Sequence, residues 1–351
     1  MEDDIARIAL ASIGWPPAAA LPPLAERQVL ARVAAQHRTG YELHDGTRAF
    51  TAQPAPAFLR KGLPLEDRPV VGDFVIVREG APAQIDAILP RHGLLARAAA
   101  GERYVRQPIA ANVDTVCVLM GLDGDFNPAR VQRYLALVEG SGAQPVVVLT
   151  KADAHPDHAT QASRLARSLP AQVPFVALNA KDAAQVRDRL APWLTPGATL
   201  ALVGSSGAGK STLTNALLGE PRQSTGAVRQ HDSRGRHTTS HRALLPLPGG
   251  ACLIDTPGMR ELKLTGDEDL AQFADIEALA ATCRFSDCGH TNEPGCAVRA
   301  ALDSGELAPE RWQAWRKLSA ERDAQEAQSE ATLDRKRRPA PRLLGRRQRD
   351  R

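Results

Sequence analysis

The apolar and polar positions of this chain follow different rhythms in successive regions. Between residues 28 and 110, short apolar runs such as VLARV, GYELH and DFVIV are separated by turns rich in Gly and Pro. Short strands at this spacing predict a small all-β barrel. The size of that barrel fits an oligonucleotide-binding (OB) fold, although the strand count alone agrees equally with an SH3-like barrel.

From residue 111 the apolar runs lengthen and alternate with amphipathic stretches, as in VDTVCVLM followed by PARVQRYLALV. Strands of a parallel sheet are buried on both faces, so they read as continuous apolar runs, and crossover helices supply the amphipathic stretches. This rhythm predicts a doubly wound α/β domain over residues 111–266. Beyond it the chain reads as helices, which predicts a third domain over residues 267–325.

The two ends of the chain differ from these domains in composition. The first 27 residues are rich in Ala and Pro and predict a flexible extension, whereas residues 326–351 predict a basic disordered tail. The chain has no run of 18 apolar residues and begins with an acidic stretch, so we expect neither a membrane span nor a secretory signal. Five cysteines among 351 residues suit a reducing compartment, and we expect a cytoplasmic protein.

A phosphate-binding loop lies in the second half of the predicted α/β domain. The stretch GSSGAGKS matches G-x-x-x-x-G-K-[ST] at every fixed position and has a strand before it and a helix after it. Its backbone N–H groups would surround phosphate oxygens, Lys210 would reach the β and γ phosphates, and the Ser211 hydroxyl would coordinate Mg²⁺. The predicted nucleotide contacts in this loop are Gly204, Ser205, Ser206, Gly207, Ala208, Gly209, Lys210, Ser211 and Thr212.

Two strand ends upstream of this loop predict a preference for guanine. One strand ends in Thr150, Lys151 and Asp153, a variant of the N-K-x-D element whose Asp accepts hydrogen bonds from guanine N1 and the exocyclic amine. Adenine offers no such pair of donors. Thr stands where Asn is commoner, which predicts weaker bracing of the phosphate loop. Asn179 and Ala180 follow the next strand, where a GTPase places a backbone group against guanine O6. Taken alone, T-K-x-D is equally compatible with an ordinary loop.

The chain after the phosphate loop predicts contacts with Mg²⁺ and the γ phosphate. LIDTPGM supplies Asp255 as an indirect or water-mediated ligand of Mg²⁺ and the N–H of Gly258 for the γ phosphate. The polar stretch RQHDSRGRHTTSHR that precedes it is long for a connector, so we interpret it as a switch that orders on the triphosphate. Either Thr238 or Thr239 would provide its hydroxyl to Mg²⁺.

The residue after Gly258 is Met259, where many GTPases have the Gln that orients the attacking water. His237, beside the switch threonines, is our candidate for a replacement catalytic group. A solvated loop histidine is an equally good interpretation of His237, and His231 and His241 compete for the same role.

These elements occur in the order base recognition, phosphate loop, switch and D-x-x-G. A closed α/β domain with neighbouring termini tolerates circular permutation, which accounts for this order. The D-x-x-G element then leads directly into the C-terminal helices, so that a change at the γ phosphate can pass to that domain.

Three cysteines and a histidine crowd into the C-terminal domain as C-x4-C-x-H-x5-C. Three thiols and an imidazole are the ligand set of a closed tetrahedral Zn²⁺ site, which would stabilise a segment with few apolar residues. We expect one structural zinc ion, with unrelated buried thiols as the alternative. The predicted ligands are Cys283, Cys288, His290 and Cys296, while Cys117 and Cys252 fall in apolar strands and are expected in the core.

The formal charge is distributed unevenly along the chain. Residues 335–351 contain nine Lys or Arg and one Asp, a charge of +8, so the net +4 of the whole chain leaves −4 for the remainder. A basic tail of this kind favours nucleic acid as a partner, although a solvated tail without a partner has the same composition.

The joint order of barrel, T-K-x-D, P-loop, GRHTTS, DTPG and C-x4-C-x-H-x5-C resembles the bacterial ribosome small-subunit-dependent GTPase A family, RsgA, also called YjeQ. The resemblance covers about residues 28–320. It implies an N-terminal OB-fold, a GTPase centre and a zinc-binding C-terminal domain. It also implies binding to the 30S subunit late in maturation, contact with 16S rRNA, and GTP hydrolysis stimulated by that subunit. The family's histidine in G-R-H-T-T implies an aid to hydrolysis at His237.

Two other classes of function stay open at this point. A nucleotide-gated binding module with incidental hydrolysis agrees with Met259, whereas a small-molecule kinase would use the same phosphate loop but would prefer ATP and have no use for Asp153. The ends of the chain, outside the shared pattern, have no implied role. We expect a monomer that binds GTP, GDP and the ribosomal subunit and no membrane.

Overall fold

The computed structural model describes residues 2–98, 106–123, 126–153, 157–170, 172–220, 242–256 and 273–337. In it, the first third of the chain forms a closed five-stranded barrel. The parallel pairing of its third and fifth strands and the closure of the fourth onto the first give the OB-fold rather than an SH3-like barrel. The prediction of an OB-fold is confirmed. Its strands are β1 (Gln28–His37), β2 (Gly40–His44), β3 (Ala49–Pro54), β4 (Phe74–Arg78) and β5 (Ala83–Ile88).

A two-stranded hairpin, β6 (Leu94–Ala98) and β7 (Arg106–Ala111), connects the barrel to a six-stranded α/β sheet. The order in that sheet is β10-β9-β8-β11-β13-β12, and only β12 runs antiparallel to its neighbour β13. Helices α2 (Pro128–Val138), α3 (His158–Ser168), α4 (Ala183–Leu190) and α5 (Lys210–Leu218) connect or follow the strands. The strands are β8 (Thr115–Gly121), β9 (Gln144–Thr150), β10 (Phe175–Ala177), β11 (Thr199–Gly204), β12 (Ala243–Pro246) and β13 (Cys252–Asp255).

The sheet is apolar on both faces, as its continuous apolar strands predict. In β8, Val116 and Val118 pack into the core shared with α2 and the barrel, while Cys117 and Leu119 pack into the core shared with α4 and α5. This alternation follows from the two-residue period of a strand.

The strand order establishes the circular permutation. Counted from β11, which precedes the phosphate loop, the sheet reads 6-5-4-1-3-2, and the strands that would ordinarily come fourth to sixth are the first three along this chain. The new connection runs from β10 through α4 to β11. The circular permutation that the motif order predicted is therefore present in the strand order of the sheet.

The segment before β1 packs against the barrel. Leu10 of helix α1 (Glu2–Ala11) and the following Ile13 and Trp15 are buried with Leu30 and Phe74 of the barrel. Trp15 meets the Phe74 ring edge-on at 4.8 Å. This packing differs from the flexible extension that the Ala and Pro composition indicated, because three large apolar residues at close spacing are sufficient to bury the segment.

The C-terminal domain consists of α6 (Ala274–Ala281), α7 (Ala297–Ser304) and α8 (Pro309–Arg337). Its core includes Phe273, Ile276 and Trp312. Helix α8 continues past residue 326, where composition predicted a disordered tail to begin. None of the helices in the described ranges is both long and apolar enough to cross a membrane.

Arg311 of α8 docks the C-terminal domain on the α/β domain. It donates to Ser168 O at the end of α3 at 3.2 Å and to both carboxylate oxygens of Asp275 at 2.6 and 2.8 Å. Its guanidinium lies 5.0 Å from the centre of the Phe273 ring. A second ion pair, Arg133 with Glu321, joins α2 to α8 at 2.5 Å.

Arg32 of β1 is fully buried where the N-terminal segment, the barrel and the α/β sheet meet. It donates to Ile13 O at 2.7 Å, to Thr199 Oγ1 at 2.8 Å, to Gly72 O at 3.0 Å and to Asn112 O at 3.1 Å. These acceptors belong to all three parts of the structure. Burial lowers the pKa of Arg32 below its ordinary value, while its hydrogen bonds go to neutral oxygens.

Replacement of Arg32 by Met is expected to lower the free energy of unfolding by about 3 kcal/mol, because it leaves three buried carbonyl oxygens without this donor. Urea unfolding followed by circular dichroism measures the change. Arg78→Met on the neighbouring strand β4 is the matched control, since the Arg78 side chain is 57% exposed. Equal stability losses in the two variants would contradict the proposed importance of Arg32.

Candidate nucleotide site and metal centre

Parallel strands of the α/β sheet end together at the edge where the phosphate loop begins. In the register of the sheet, Gly204 pairs with Leu119, and Leu202 pairs with Asp255. Thr150 at the end of β9 pairs with Gly121 of β8. The carboxyl edge of an open parallel sheet is the usual place for a ligand, so this register brings the predicted phosphate and base elements to one cleft.

The phosphate loop depends on two glycines. A Cβ on Gly204 would lie 2.6 Å from the carbonyl oxygen of Leu119, so only Gly allows the loop to leave β11 this close to β8. Gly209 has a φ of 91° and forms the N-cap of α5, which begins at Lys210. The first turn of α5, with Ser211 and Thr212, therefore directs free N–H groups towards the loop, as an anion site requires.

Thr150 braces the phosphate loop from β9. Its buried hydroxyl donates to Ala208 O at 2.7 Å, and a Cβ on Gly209 would approach that hydroxyl to 3.2 Å. The substitution of Thr for the commoner Asn predicted weaker bracing, yet the hydroxyl reaches the loop directly.

Lys210 is almost completely buried and donates to the carbonyl oxygens of Gly204 and Ser205, both at 2.6 Å. Burial lowers the pKa of Lys210 to about 8, and the nearby Asp255 opposes this shift. The carbonyl groups thus hold the ammonium group inside the loop, where phosphate oxygens are stronger acceptors for it.

The predicted base-recognition residues lie at the ends of β9 and β10. Lys151 has a left-handed φ of 61° and forms an ion pair with Asp123, which follows β8. Asp153 is exposed. The Asn179 carbonyl side chain accepts from the Lys181 N–H at 3.0 Å, which orders the turn before the buried Ala180.

Sequence reasoning missed Asp123 in this region. It lies 28 positions from Lys151, and no spacing rule links the loop after β8 to the T-K-x-D element.

Asp255 ends β13 and is buried beside the phosphate loop, close enough to interact electrostatically with Lys210. The next residue, Thr256, donates its hydroxyl to Leu202 O of β11, which fixes the end of β13 against the strand that carries the loop. The predictions for His237, Thr238, Thr239 and Gly258 concern positions outside the described residues, as do those for His231, His241 and Met259.

The four predicted metal ligands come together in the C-terminal domain. The ligand atoms of Cys283, Cys288, His290 and Cys296 all lie within 4.8 Å of one another. Cys283 Sγ is 3.9 Å from Cys296 Sγ, and the two sulfurs are 3.6 and 3.5 Å from His290 Nδ1. Tetrahedral zinc, with bonds of about 2.3 Å to sulfur and 2.0 Å to nitrogen, requires separations of about 3.8 Å and 3.6 Å. The cluster fits a closed zinc site.

Neighbouring side chains hold His290 in this geometry. Trp312 meets the imidazole edge-on with ring centres 5.5 Å apart, and Trp315 stacks on Trp312 at 4.9 Å. Glu293 accepts from the N–H groups of Gly289, Thr291 and Asn292 at 3.1, 2.7 and 3.0 Å, which fixes the loop on either side of His290. Sequence reasoning did not assign Glu293 or this contact between tryptophan and histidine.

The remaining cysteines, Cys117 and Cys252, lie fully buried in β8 and β13, where their apolar surroundings place them in the core. Burial raises the pKa of the Cys117 thiol to about 12, so it stays protonated and unreactive.

An OB-fold barrel, a P-loop on a sheet of order 6-5-4-1-3-2 and a Cys3His cluster define a circularly permuted P-loop GTPase whose C-terminal domain has a cluster that could hold a metal ion. The RsgA GTPase family matches residues 88–265 of the sequence. The chain belongs to this family and is a GTPase, a hydrolase.

Relatives with high identity cover nearly the whole chain. The small ribosomal subunit biogenesis GTPase RsgA of Xanthomonas euvesicatoria pv. vesicatoria (strain 85-10) is 57% identical over 326 residues, 89% of this chain and 88% of the relative. The protein of the same name from Xanthomonas axonopodis pv. citri (strain 306) is 56% identical with the same coverage.

Two solved structures share the fold. YjeQ from Thermotoga maritima superposes with a TM-score of 0.61 and 23% identity over 83% of this chain and 97% of its own. YloQ, described as a circularly permuted GTPase, superposes with a TM-score of 0.58 and 22% identity over 92% of this chain and 100% of its own.

Thr150→Val is expected to weaken GDP binding about fivefold, since loss of one buried hydrogen bond to the phosphate loop costs about 1 kcal/mol. Thr150→Ser keeps the hydroxyl and should bind within about twofold of the wild type. Titration with a fluorescent GDP analogue measures both constants. Wild-type affinity in Thr150→Val would show that the bond to Ala208 does not support binding.

The purified protein is expected to contain one zinc ion per chain, as measured by elemental analysis, and Cys288→Ser should lose most of it. The Cys117→Ala variant is the matched control, because its thiol lies outside the cluster and its zinc content should not change. Loss of zinc should also unfold part of the C-terminal helices, visible as lower helicity. Equal zinc content in both variants would contradict the assignment.

Proposed function

We propose that this GTPase binds the small (30S) ribosomal subunit, hydrolyses GTP to GDP and phosphate when that subunit stimulates it, and acts as a late maturation factor for 30S. The observation that carries this proposal is the 57% identity, over 89% of the chain, to a small ribosomal subunit biogenesis GTPase. Such identity extends across the barrel, the GTPase domain and the metal-binding domain together. Because a maturation factor acts where ribosomal subunits are assembled, we also propose that the protein acts in the cytoplasm and as a monomer.

The nucleotide binds along the edge where β8, β9, β10 and β11 end. The N–H groups from Gly204 to Thr212 surround the phosphates, and the Lys210 ammonium group transfers its hydrogen bonds from the loop carbonyls to the β and γ phosphates. Asp153 accepts from guanine N1 and the exocyclic amine, Lys151 lies beside the base, and the backbone at Asn179 and Ala180 meets O6. Thr150 supports this arrangement through its bond to the loop.

Mg²⁺ neutralises charge on the β and γ phosphates when it is bound. Ser211 and either Thr238 or Thr239 would hold it, and the carboxylate of Asp255 would contact it through water. The buried position of Asp255 next to Lys210 fits that role, because an acidic group at the end of β13 lies beside the loop that carries Ser211. The N–H of Gly258 approaches the γ phosphate.

His237 orients or activates the attacking water in place of the glutamine that Met259 replaces. The sequence places His237 next to the two switch threonines, so that ordering of the switch would bring it to the γ phosphate. This arrangement makes hydrolysis slow in the free protein and faster on the subunit, because the ribosomal partner would favour the ordered switch.

The barrel, the C-terminal domain and the basic tail bind 16S rRNA mainly through its phosphates. The OB-fold is a recurrent oligonucleotide-binding architecture, and the tail contributes a charge of +8 over residues 335–351. A structural zinc ion held by Cys283, Cys288, His290 and Cys296 leaves no open coordination position, so its contribution is to shape this surface.

GTP turnover is expected to rise strongly when 30S subunits are added to the purified protein and to remain low with 50S subunits. The His237→Ala variant should lose most of that stimulation, whereas His231→Ala, which removes a competing candidate in the same stretch, should retain it. Release of phosphate under multiple-turnover conditions is the measurement. Stimulation retained in His237→Ala would remove the catalytic role of this histidine, and absence of stimulation by either subunit would instead favour a nucleotide-gated binding module.

A further inference from the structure

Two arginines meet where the hairpin of β6 and β7 touches the start of β12. Arg97 of β6 lies opposite Gln107 of β7 and donates to its Oε1 at 3.3 Å. Arg242, immediately before β12, donates to Pro108 O of the same hairpin strand at 3.2 Å. Both guanidinium groups therefore contact consecutive residues of β7.

Within the described part of the chain, no acidic side chain forms an ion pair with either arginine. Each guanidinium carries five N–H donors, but a single hydrogen bond to a neutral oxygen is the contact described for each. The Nε of Arg97 is buried without a hydrogen-bond partner among the described atoms. Partial burial, together with the like charge of Arg97, lowers the pKa of Arg242. Two neighbouring cations with free donors favour an anion between them.

The pair lies at the same edge of the sheet as the nucleotide elements. Ala243, next to Arg242, pairs with Asp255 on one side and with Ala35 of the barrel on the other. In the sheet order, β12 is separated from the phosphate-loop strand β11 by β13. Two strand spacings amount to about 10 Å, and the Arg242 side chain turns away from β11 towards β7. The phosphates of a nucleotide bound at the P-loop would therefore lie too far away to bind this pair.

We propose that Arg97 and Arg242 form a phosphate-binding pair that takes the RNA backbone of the ribosomal subunit. The inference rests on the proposed function, because it assumes that the chain binds that subunit. Planar guanidinium groups bind phosphodiester oxygens in a bidentate manner, and such contacts position a protein on RNA without reading its sequence. An RNA phosphate held there contacts Arg242, immediately before β12, and so links the RNA contact to the strand whose Ala243 pairs with Asp255.

The test compares the affinity of full-length Arg97→Gln, Arg97→Lys and Arg242→Gln variants for 30S subunits at several KCl concentrations, with a non-hydrolysable GTP analogue bound. The matched control is Arg189→Gln, which removes the same charge from an exposed position on α4, a helix that packs on the face of the sheet beside α5. Affinity for the GTP analogue alone is measured in parallel, and thermal melting confirms that each variant is folded.

Arg97→Gln and Arg242→Gln are expected to weaken subunit binding about tenfold and to reduce the slope of log affinity against log salt by about 1. Arg97→Lys should fall between them and the wild type, Arg189→Gln should match the wild type, and nucleotide affinity should be unchanged in all four. Equal subunit affinity and salt slope in Arg97→Gln and Arg189→Gln would overturn this inference but would leave the proposed function standing. Weaker nucleotide binding with normal subunit binding would assign the pair to the nucleotide and also overturn it. A wild type that does not bind 30S would remove the proposed function itself.

Discussion

The buried guanidinium of Arg32 is the interaction on which the relative placement of the domains depends. A buried arginine is costly unless its donors are satisfied, and here the acceptors are the Ile13, Gly72 and Asn112 carbonyls and the Thr199 hydroxyl. Thr199 is the first residue of β11, the strand that carries the phosphate loop. The N-terminal segment and the barrel are therefore bonded to the base of the strand that ends at the nucleotide site.

The same strand that carries Arg32 also reaches the opposite edge of the sheet. Three residues after Arg32, Ala35 of β1 pairs with Ala243 of β12, and Ala243 pairs with Asp255 at the nucleotide edge. Strand β1 thus spans the depth of the α/β sheet, from the beginning of β11 to the end of β13. Because a strand is stiff along its length, a force that a partner exerts on the barrel would act at both edges together. This geometry gives any contact on the barrel a direct connection, through β1 and β12, to the end of β13 at the predicted nucleotide site.

The sequence was most informative where function depends on neighbouring residues, and least where it depends on distant ones. The P-loop and the Cys3His cluster each lie within a short stretch, so spacing alone predicted them. The bonds from Arg32 to Thr199 and from Thr150 to Ala208 join residues 167 and 58 positions apart, and no periodicity connects such pairs. Composition was misleading at both ends. Few apolar residues pack the N-terminal segment against the barrel, and the Lys and Arg residues that suggested a disordered tail are also good helix formers.

Circular permutation gives the C-terminal domain contact with both halves of the GTPase fold. The chain enters this domain from β13, on the side of Asp255, while Arg311 and Glu321 of α8 bond to α3 and α2, which flank the strands of the base-recognition half. In an unpermuted chain β13 would lead into the next strand of the same sheet. Here the chain after Asp255 instead continues into a separate C-terminal domain, whose helix α8 contacts α2 and α3. Arg311 and Arg133 hold this domain to the base-recognition half, while the chain itself connects the domain to the strand that ends at Asp255, so one domain is linked to both parts of the predicted nucleotide site.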